Sequence, residues 1–537
     1  MPSADPRHIL AIDLGTSGAK VGLVTTTGHV VGFEKEPVDL ILGDGGLAEQ
    51  DPNAWWQAIC RASCRLLARR LVPLDTITAA CAGAQWGCTV AVDASGKPLR
   101  HAHSWLDQRG SRHARHIVGG WDRIPGTPYS ARKLVTWLRR TGGAPSADGK
   151  DPVGHINWIR TEQPDIYAAT RWFLDVPEYL TLCMSGRAVA SYDTIVARWC
   201  TDNRDLTKIH YDKRLLSITG LDHAKLPEIV PSASIVGLMT STAKVELGLP
   251  DTLDIAVIAG VGDTVAAGIG SGAVDEYHHH LYIGTSAWYS CHMRHKRADL
   301  SRTVFALPSA VPHQYWVAAI QESAGKTVEW LLDNVIFDSD EFATAERSDD
   351  ALARLNAVGM SAPPGSNGVI FTPWLNGERT PIEDSTIRGG WHNLSLTSRR
   401  ADLVRSVIEG VVFNCRWMAE AVEGLSKGLR PRGAMAPIRF IGGGAISPLW
   451  CQIVADIFDR PIAQVRDPVV ANLRGAGILG AIGTGHLQWS EVAGAVEIAE
   501  TFIPNPLLRQ RYDDMFKAFT QIYKRNKPIH KCLHRDR

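Results

Sequence analysis

Three short segments of this 537-residue chain carry the residue types best suited to chemistry. Near the N-terminus, the apolar run His8-Ile9-Leu10-Ala11-Ile12-Asp13-Leu14 leads into Gly15-Thr16-Ser17-Gly18 and then Ala19-Lys20-Val21-Gly22-Leu23-Val24. Near the middle, His280-Leu281-Tyr282-Ile283 leads into Gly284-Thr285-Ser286 and then Ala287-Trp288-Tyr289-Ser290. Each is a tight turn of small residues between two runs that can extend. Such a hairpin presents backbone N–H groups and hydroxyls with no bulky side chain in the way, which suits the oxygens of an anion. Two of them in one chain suggest a nucleotide gripped between two related lobes. The third segment, Gly260-Val261-Gly262-Asp263-Thr264, closes an apolar strand with a carboxylate among glycines. Asp263 can cap the helix that follows or accept a proton from a hydroxyl, and residue types alone leave both open.

The elements that must position these residues follow from patterning. Residues 9–12, 19–25 and 29–34 read as a three-stranded meander. Asp51-Pro52-Asn53 opens a helix through Trp55, Trp56, Ile59 and Leu66, with Pro52 in its first turn. Residues 77–83 read as a buried strand, 89–92 as a strand, and 155–160 and 172–184 as helices. A small-residue helix follows Asp263. The second half repeats the scheme: strands at 281–283 and 287–292, helices at 322–334 and 401–424, a strand at 438–441 ending in Gly442-Gly443-Gly444, and a helix at 450–458. Meander, helix, strand, helix in both halves predicts an α/β fold of mixed sheets with helices on their faces. The length exceeds one ordinary core, and the boundary is expected near Ala273, giving lobes 1–273 and 274–537 packed directly on each other.

Composition narrows the partners. A formal net charge of +1 supplies no long-range field, so neither nucleic acid nor an anionic membrane is expected. No secretory signal is read at the N-terminus, and residues 255–262 are too short to span a bilayer. Ten cysteines with no Cys-x-x-Cys pair fit reduced thiols and a cytoplasmic setting. His278-His279-His280 alternate faces on a strand and do not converge on one ion; a solvated turn is expected there. The basic stretch 524–537 is expected to be a frayed end. The first turn is neither a dinucleotide fingerprint nor a Walker A loop, because strand-favouring Val21, Leu23, Val24, Thr25 and Thr26 follow where those motifs need a helix.

Four segments together resemble the FGGY family of carbohydrate kinases, within the actin- and hexokinase-like (ribonuclease H-like) two-domain ATPase fold. They are Asp13-Leu14-Gly15-Thr16-Ser17-Gly18-Ala19-Lys20, Gly260-Val261-Gly262-Asp263-Thr264, Gly377-Glu378-Arg379-Thr380-Pro381 and Ile441-Gly442-Gly443-Gly444-Ala445-Ile446-Ser447. The third, preceded by Trp374-Leu375, is most similar to the xylulokinase branch, as is Trp105-Leu106-Asp107-Gln108-Arg109. The resemblance runs from about Ile9 to about Thr484. It implies ATP-dependent phosphorylation of a sugar or polyol hydroxyl, D-xylulose or a related ketose or polyol, with Asp263 as general base. It implies that Asp13 holds Mg²⁺ through water, and that Gly15, Thr16, Ser17, Lys20, Gly284, Thr285, Gly325, Gly443, Gly444 and Ser447 approach the nucleotide. A homodimer is also common in the family.

On the sugar side the resemblance implies Gln85, Trp86, Gly87, Trp105, Asp107, Arg109 and Asp263. Here the chain departs from the pattern: Ala84-Gln85-Trp86-Gly87-Cys88 stands where xylulokinases resemble Gly-Gln-Met-His-Gly. Trp86 can stack on a polyol or sit in the core. Asp107 and Arg109 can bond sugar hydroxyls or pair with each other. Two other classes use the same loops: an actin- or chaperone-like ATPase acting on a protein partner, and a sugar sensor that has lost chemistry.

Overall fold

The opening meander forms as its alternation requires. Strand His8–Gly15 pairs antiparallel with Gly18–Thr25, setting Asp13 opposite Lys20 and Gly15 opposite Gly18. Gly18–Thr25 pairs antiparallel with Val30–Pro37. Ile77–Ala84, an alanine-rich buried strand, lies parallel to His8–Gly15. Ala256–Ile258 continues the sheet in parallel, and Ile235–Leu238 closes it antiparallel. The computed structural model describes residues 7–338, 340, 346–429 and 435–534.

The second sheet repeats that order and sense. Ala287–Met293 pairs antiparallel with both His279–Ile283 and Tyr315–Gln321. Ile438–Ile441 and Ile462–Val465 follow in parallel, and Ile498–Phe502 closes antiparallel. Phe305–Pro308 is an added edge strand. The expected α/β architecture of two related lobes is therefore what the chain builds.

The lobes meet through equivalent helices. Asp263–Ser271 follows the parallel strands of the first sheet, and Ala471–Gly483 those of the second. The two helices pack face to face, and Ala471–Gly483 also lies across the first sheet. Glycine permits the crossing: a Cβ on Gly475 would run into the Ala266 carbonyl, and one on Gly270 into that of Ala471. The lobes thus interlock through backbone contact.

Several local expectations are corrected. Residues 172–184 are not one helix: Trp172–Leu174 is a strand paired with Val90–Val92, and Val176–Ser185 is the helix. Asp175 and Glu178 form a capping box that starts the helix after the strand. The helix expected at 322–334 starts at Gly325 and widens into a π turn over Leu332–Ile336. His279 and His280 are buried strand residues rather than a solvated turn. The basic stretch is no frayed end: Arg509–Leu533 is one helix, anchored by a stripe of Tyr512, Met515, Phe516, Phe519 and Tyr523, while residues 535–537 lie outside the described part. None of the ten cysteines forms a disulfide. No described helix is long and apolar enough to cross a membrane.

Candidate active site

Asp263 stands at the junction of the lobes. Val261–Gly262 adds to the first sheet beside Gly83 and Ala84. The Gly262 N–H donates to Asp193 Oδ2 at 2.8 Å, which anchors the turn before the carboxylate. The helix then begins at Asp263 itself, and the Thr264 N–H donates to Asp263 Oδ1 at 2.7 Å. Asp263 is thus the first residue of the helix rather than its cap, and that contact engages one oxygen of a residue that stays partly exposed. Burial, and next the Asp13 carboxylate, push its pKa up to about 7, while the Thr264 N–H and Lys20 pull against that rise.

Asp13 lies two residues before the end of the first strand, almost fully buried, and Lys20 Nζ meets its Oδ2 at 2.8 Å across the hairpin. Asp13, then its hydrogen bond and Asp263, raise the Lys20 pKa against burial. The ammonium therefore sits within the field of both carboxylates. Ser17 is exposed at the turn, and a Cβ on Gly15 would meet only the Gly18 carbonyl, at 3.8 Å. Thr16 turns inward: its hydroxyl donates to Gln85 Oε1 at 2.9 Å and accepts the Trp105 indole N–H at 3.0 Å. Gln85 Nε2 donates to Gln50 Oε1 at 2.7 Å, and Gln50 Nε2 donates to the Thr16 carbonyl at 2.9 Å. First turn and sugar-side segment are one connected network.

Beyond Gln85, the half-buried Trp86 indole packs against the backbone of Gly262. Gly87 has φ +81°, a conformation that strains residues with a side chain. Its N–H and that of Cys88 donate to the two oxygens of Asp175 at 2.7 and 3.0 Å. Asp107 and Arg109 take the pairing alternative. Asp107 is fully buried, accepts the Ala48 N–H at 2.9 Å and is gripped by the Arg109 guanidinium at 2.7 Å; Arg109 also pairs with Glu49.

Among the described residues, His103, Asp107 and His155 bring metal-type donor atoms within 4.8 Å of one another. His155 spans the Thr89 hydroxyl and the Asp107 carbonyl, His103 meets Arg100, and Arg100 and Arg109 both lie over the Trp158 ring. Two guanidiniums beside the group oppose a cation. The cluster is a buried hydrogen-bonded node that holds the 103–109 segment in place.

The second hairpin is braced from outside. The Gly325 N–H donates to the Gly284 carbonyl at 2.7 Å, and the N–H groups of Ala324 and Lys326 donate to the Thr285 carbonyl. Gly325 thereby serves the turn, while Thr285 stays exposed at its tip. Gly444 packs on Ile283, whereas Gly443 is exposed and has open space around it. Ser447, partly exposed, caps the helix Pro448–Phe458 through its backbone. Glu378 is buried and accepts the Glu322 N–H and the Asn414 amide, and Arg379 pairs with Glu322. The Gly377–Pro381 segment thus ties the strand end at Gln321 to the long helix Arg400–Leu425.

Family models match this arrangement in both lobes: the N-terminal domain of the FGGY family of carbohydrate kinases over residues 8–270, and the C-terminal domain of that family over residues 281–484. The chain belongs to the FGGY family of carbohydrate kinases. It is 29% identical to a xylulose kinase of Staphylococcus epidermidis over 526 residues, covering 97% of both chains. It is 26% identical to a gluconokinase of Bacillus subtilis over 486 residues, covering 90% of this chain and 88% of the other. The fold matches a ligand-bound xylulose kinase from Lactobacillus acidophilus with a TM-score of 0.80 at 23% identity, covering 97% of this chain and 98% of that one. The protein is therefore an enzyme that phosphorylates sugars at the expense of ATP.

Four residues near this kinase site escaped the sequence reading. Gln50 joins Thr16 to Gln85, Asp193 anchors Gly262, Asp175 holds the Gly87 turn, and Tyr282 lies near both Asp13 and Asp263. Only Asp175 carried a local signal, the Asp-x-x-Glu spacing of a capping box. Behind it, Arg198 clasps Glu178 through two hydrogen bonds, at 2.9 and 2.6 Å.

Proposed function

We propose that this kinase transfers the γ-phosphoryl group of ATP to a hydroxyl of a small neutral ketose or polyol, D-xylulose or a close analogue, with Asp263 as general base. The observation that supports this most is the state of Asp263: a carboxylate between the two hairpins, raised to about 7 by burial and by Asp13. A base is most effective when its pKa lies near the working pH. Asp263 accepts the hydroxyl proton as the sugar oxygen bonds to the γ-phosphorus and the bond to the ADP oxygen breaks. The Gly15–Ser17 and Gly284–Thr285 turns hold the phosphates, and Gln85, Trp86 and Trp105 orient the sugar. Lobe closure excludes water, the competing nucleophile.

Asp13 and Asp263, with one ammonium between their fields, form a donor set suited to a hydrated divalent cation. Asp13 would hold Mg²⁺ through water, and the ion supplies charge neutralisation on the phosphates. The absence of any disulfide among the ten cysteines favours a cytoplasmic setting.

Charge balance favours a neutral sugar over a sugar acid. Asp13 and Asp175 lie within the field of Asp263 and Asp193 holds the turn before it, while Lys20, Arg109 and Arg198 are each already gripped by a carboxylate. A substrate carboxylate would meet repulsion there. The test is ADP release measured with a panel of ketoses, polyols and gluconate. Neutral sugars should drive release, and gluconate should not. Gluconate outpacing every neutral sugar, or release that ignores sugar, would overturn the reading.

A further inference from the structure

The two hairpins hold equivalent places in sheets of the same order and sense, yet they differ at one cross-strand pair. Two residues before the turn glycine, the first hairpin sets Asp13 opposite Lys20 and the second sets Tyr282 opposite Trp288. The Tyr282 and Trp288 rings stack with centroids 3.6 Å apart and planes 5° apart. Trp288 is itself fixed, because its indole N–H donates to His280 Nε2 at 3.1 Å. His280 Nδ1 meets Ser290 Oγ at 3.1 Å, and the ring faces Gly268 of the helix that begins at Asp263.

The Tyr282 ring lies over the second turn. A Cβ on Gly284 would strike its phenol oxygen, and one on Gly442 would lie 3.1 Å from its Cδ2. The phenol therefore sits between the two glycine turns of the second lobe. Burial, then Asp13 and Asp263, push its pKa to about 12, so it stays protonated. Among the described residues its hydroxyl has no hydrogen-bond partner.

We propose that Tyr282 is a further catalytic residue: held by its stack on Trp288, its hydroxyl donates a hydrogen bond to an oxygen of the γ-phosphoryl group when the lobes close on ATP and sugar. The proposal rests on the sugar-kinase reading of the site. A neutral donor suits this place better than a second cation. An ammonium here would be drawn to Asp13 or Asp263, whereas a phenol keeps its proton for the phosphate. The stack and the His280 bond fix the ring before substrate arrives, which preorganised stabilisation requires. Tyr282 forms no covalent bond and loses no proton; the hydroxyl proton of the sugar still goes to Asp263.

The test is Tyr282→Phe, which keeps the ring and removes only the hydroxyl. The expected result is a fall in kcat of about 10- to 100-fold with sugar KM within about twofold of wild type. In an Asp263→Asn background, calorimetry should show ATP weakened relative to ADP. Trp288→Phe, which loosens the stack but keeps the phenol, should lower kcat in the same direction by less. An unchanged kcat, a rise in sugar KM alone, or equal weakening of ATP and ADP would overturn the proposal. Should the wild-type enzyme release ADP without sugar, the sugar-kinase reading fails, and the ATP-to-ADP ratio of the Phe variant still reports whether the phenol meets the γ-phosphate.

Discussion

The Thr16 hydroxyl donates to Gln85 Oε1 at 2.9 Å, so a residue of the first phosphate turn and a residue of the sugar-side segment share one bond. Gln50 and Trp105 close the network around that bond. With ATP and sugar bound as proposed, this network predicts that occupancy of one subsite is felt at the other.

Thr16→Val tests that coupling. The substitution keeps shape, removes a donor and an acceptor, and leaves Gln85 and Trp105 unpaired. KM for ATP and for sugar should both rise, each by about 5- to 10-fold. Combined with Gln85→Ala, the effects should fall short of additive by roughly 1 kcal/mol. Independent, additive effects on the two constants would show that the network only fills space.

Asp263→Asn should keep nucleotide binding and lower sugar phosphorylation by about 10²- to 10⁴-fold, the usual worth of a positioned general base. Steady-state kinetics with isothermal titration of the nucleotide separates the two effects. Near wild-type turnover would remove Asp263 from the mechanism.

With Asp263 as the proposed base, its raised pKa predicts the pH dependence. The base works as the carboxylate, so kcat/KM for sugar should climb with pH through about 7 and then level off. For stability the sign is opposite. A carboxyl whose folded pKa lies above its unfolded value favours folding while protonated, and that advantage is lost as pH rises from about 4 to about 7. Asp263→Asn should therefore raise the melting midpoint of the unliganded protein by about 2 to 4 °C at pH 8 and leave it unchanged at pH 4. A larger gain at pH 4 than at pH 8 would contradict the assignment.

The helix crossing that unites the lobes predicts a steric sensitivity far from the chemistry. Gly475→Ala drives a methyl into the Ala266 carbonyl, and neither helix can yield without shifting Asp263. A loss of about 1 to 3 kcal/mol or more is expected, read by thermal melting, together with a fall in kcat. Gly494→Ala, where a Cβ meets open space, is the control that should do neither.

The sequence by itself determined the elements and the chemistry at their ends. Alternation in His8–Gly15 and Gly18–Thr25, the small-residue turns, and the strand that delivers Asp263 are local patterns, and local sterics and hydrophobic spacing suffice to write them. Tertiary structure decided which polar groups meet. It tied Arg109 to Glu49, turned Thr16 toward Gln85, lowered Asp175 onto the Gly87 turn, and brought Tyr282 into the field of Asp13. Those encounters join residues far apart in the chain. The last of them, between Tyr282 and Asp13, spans the two lobes and rests on the crossing of two glycine-bearing helices, a packing that no local spacing encodes.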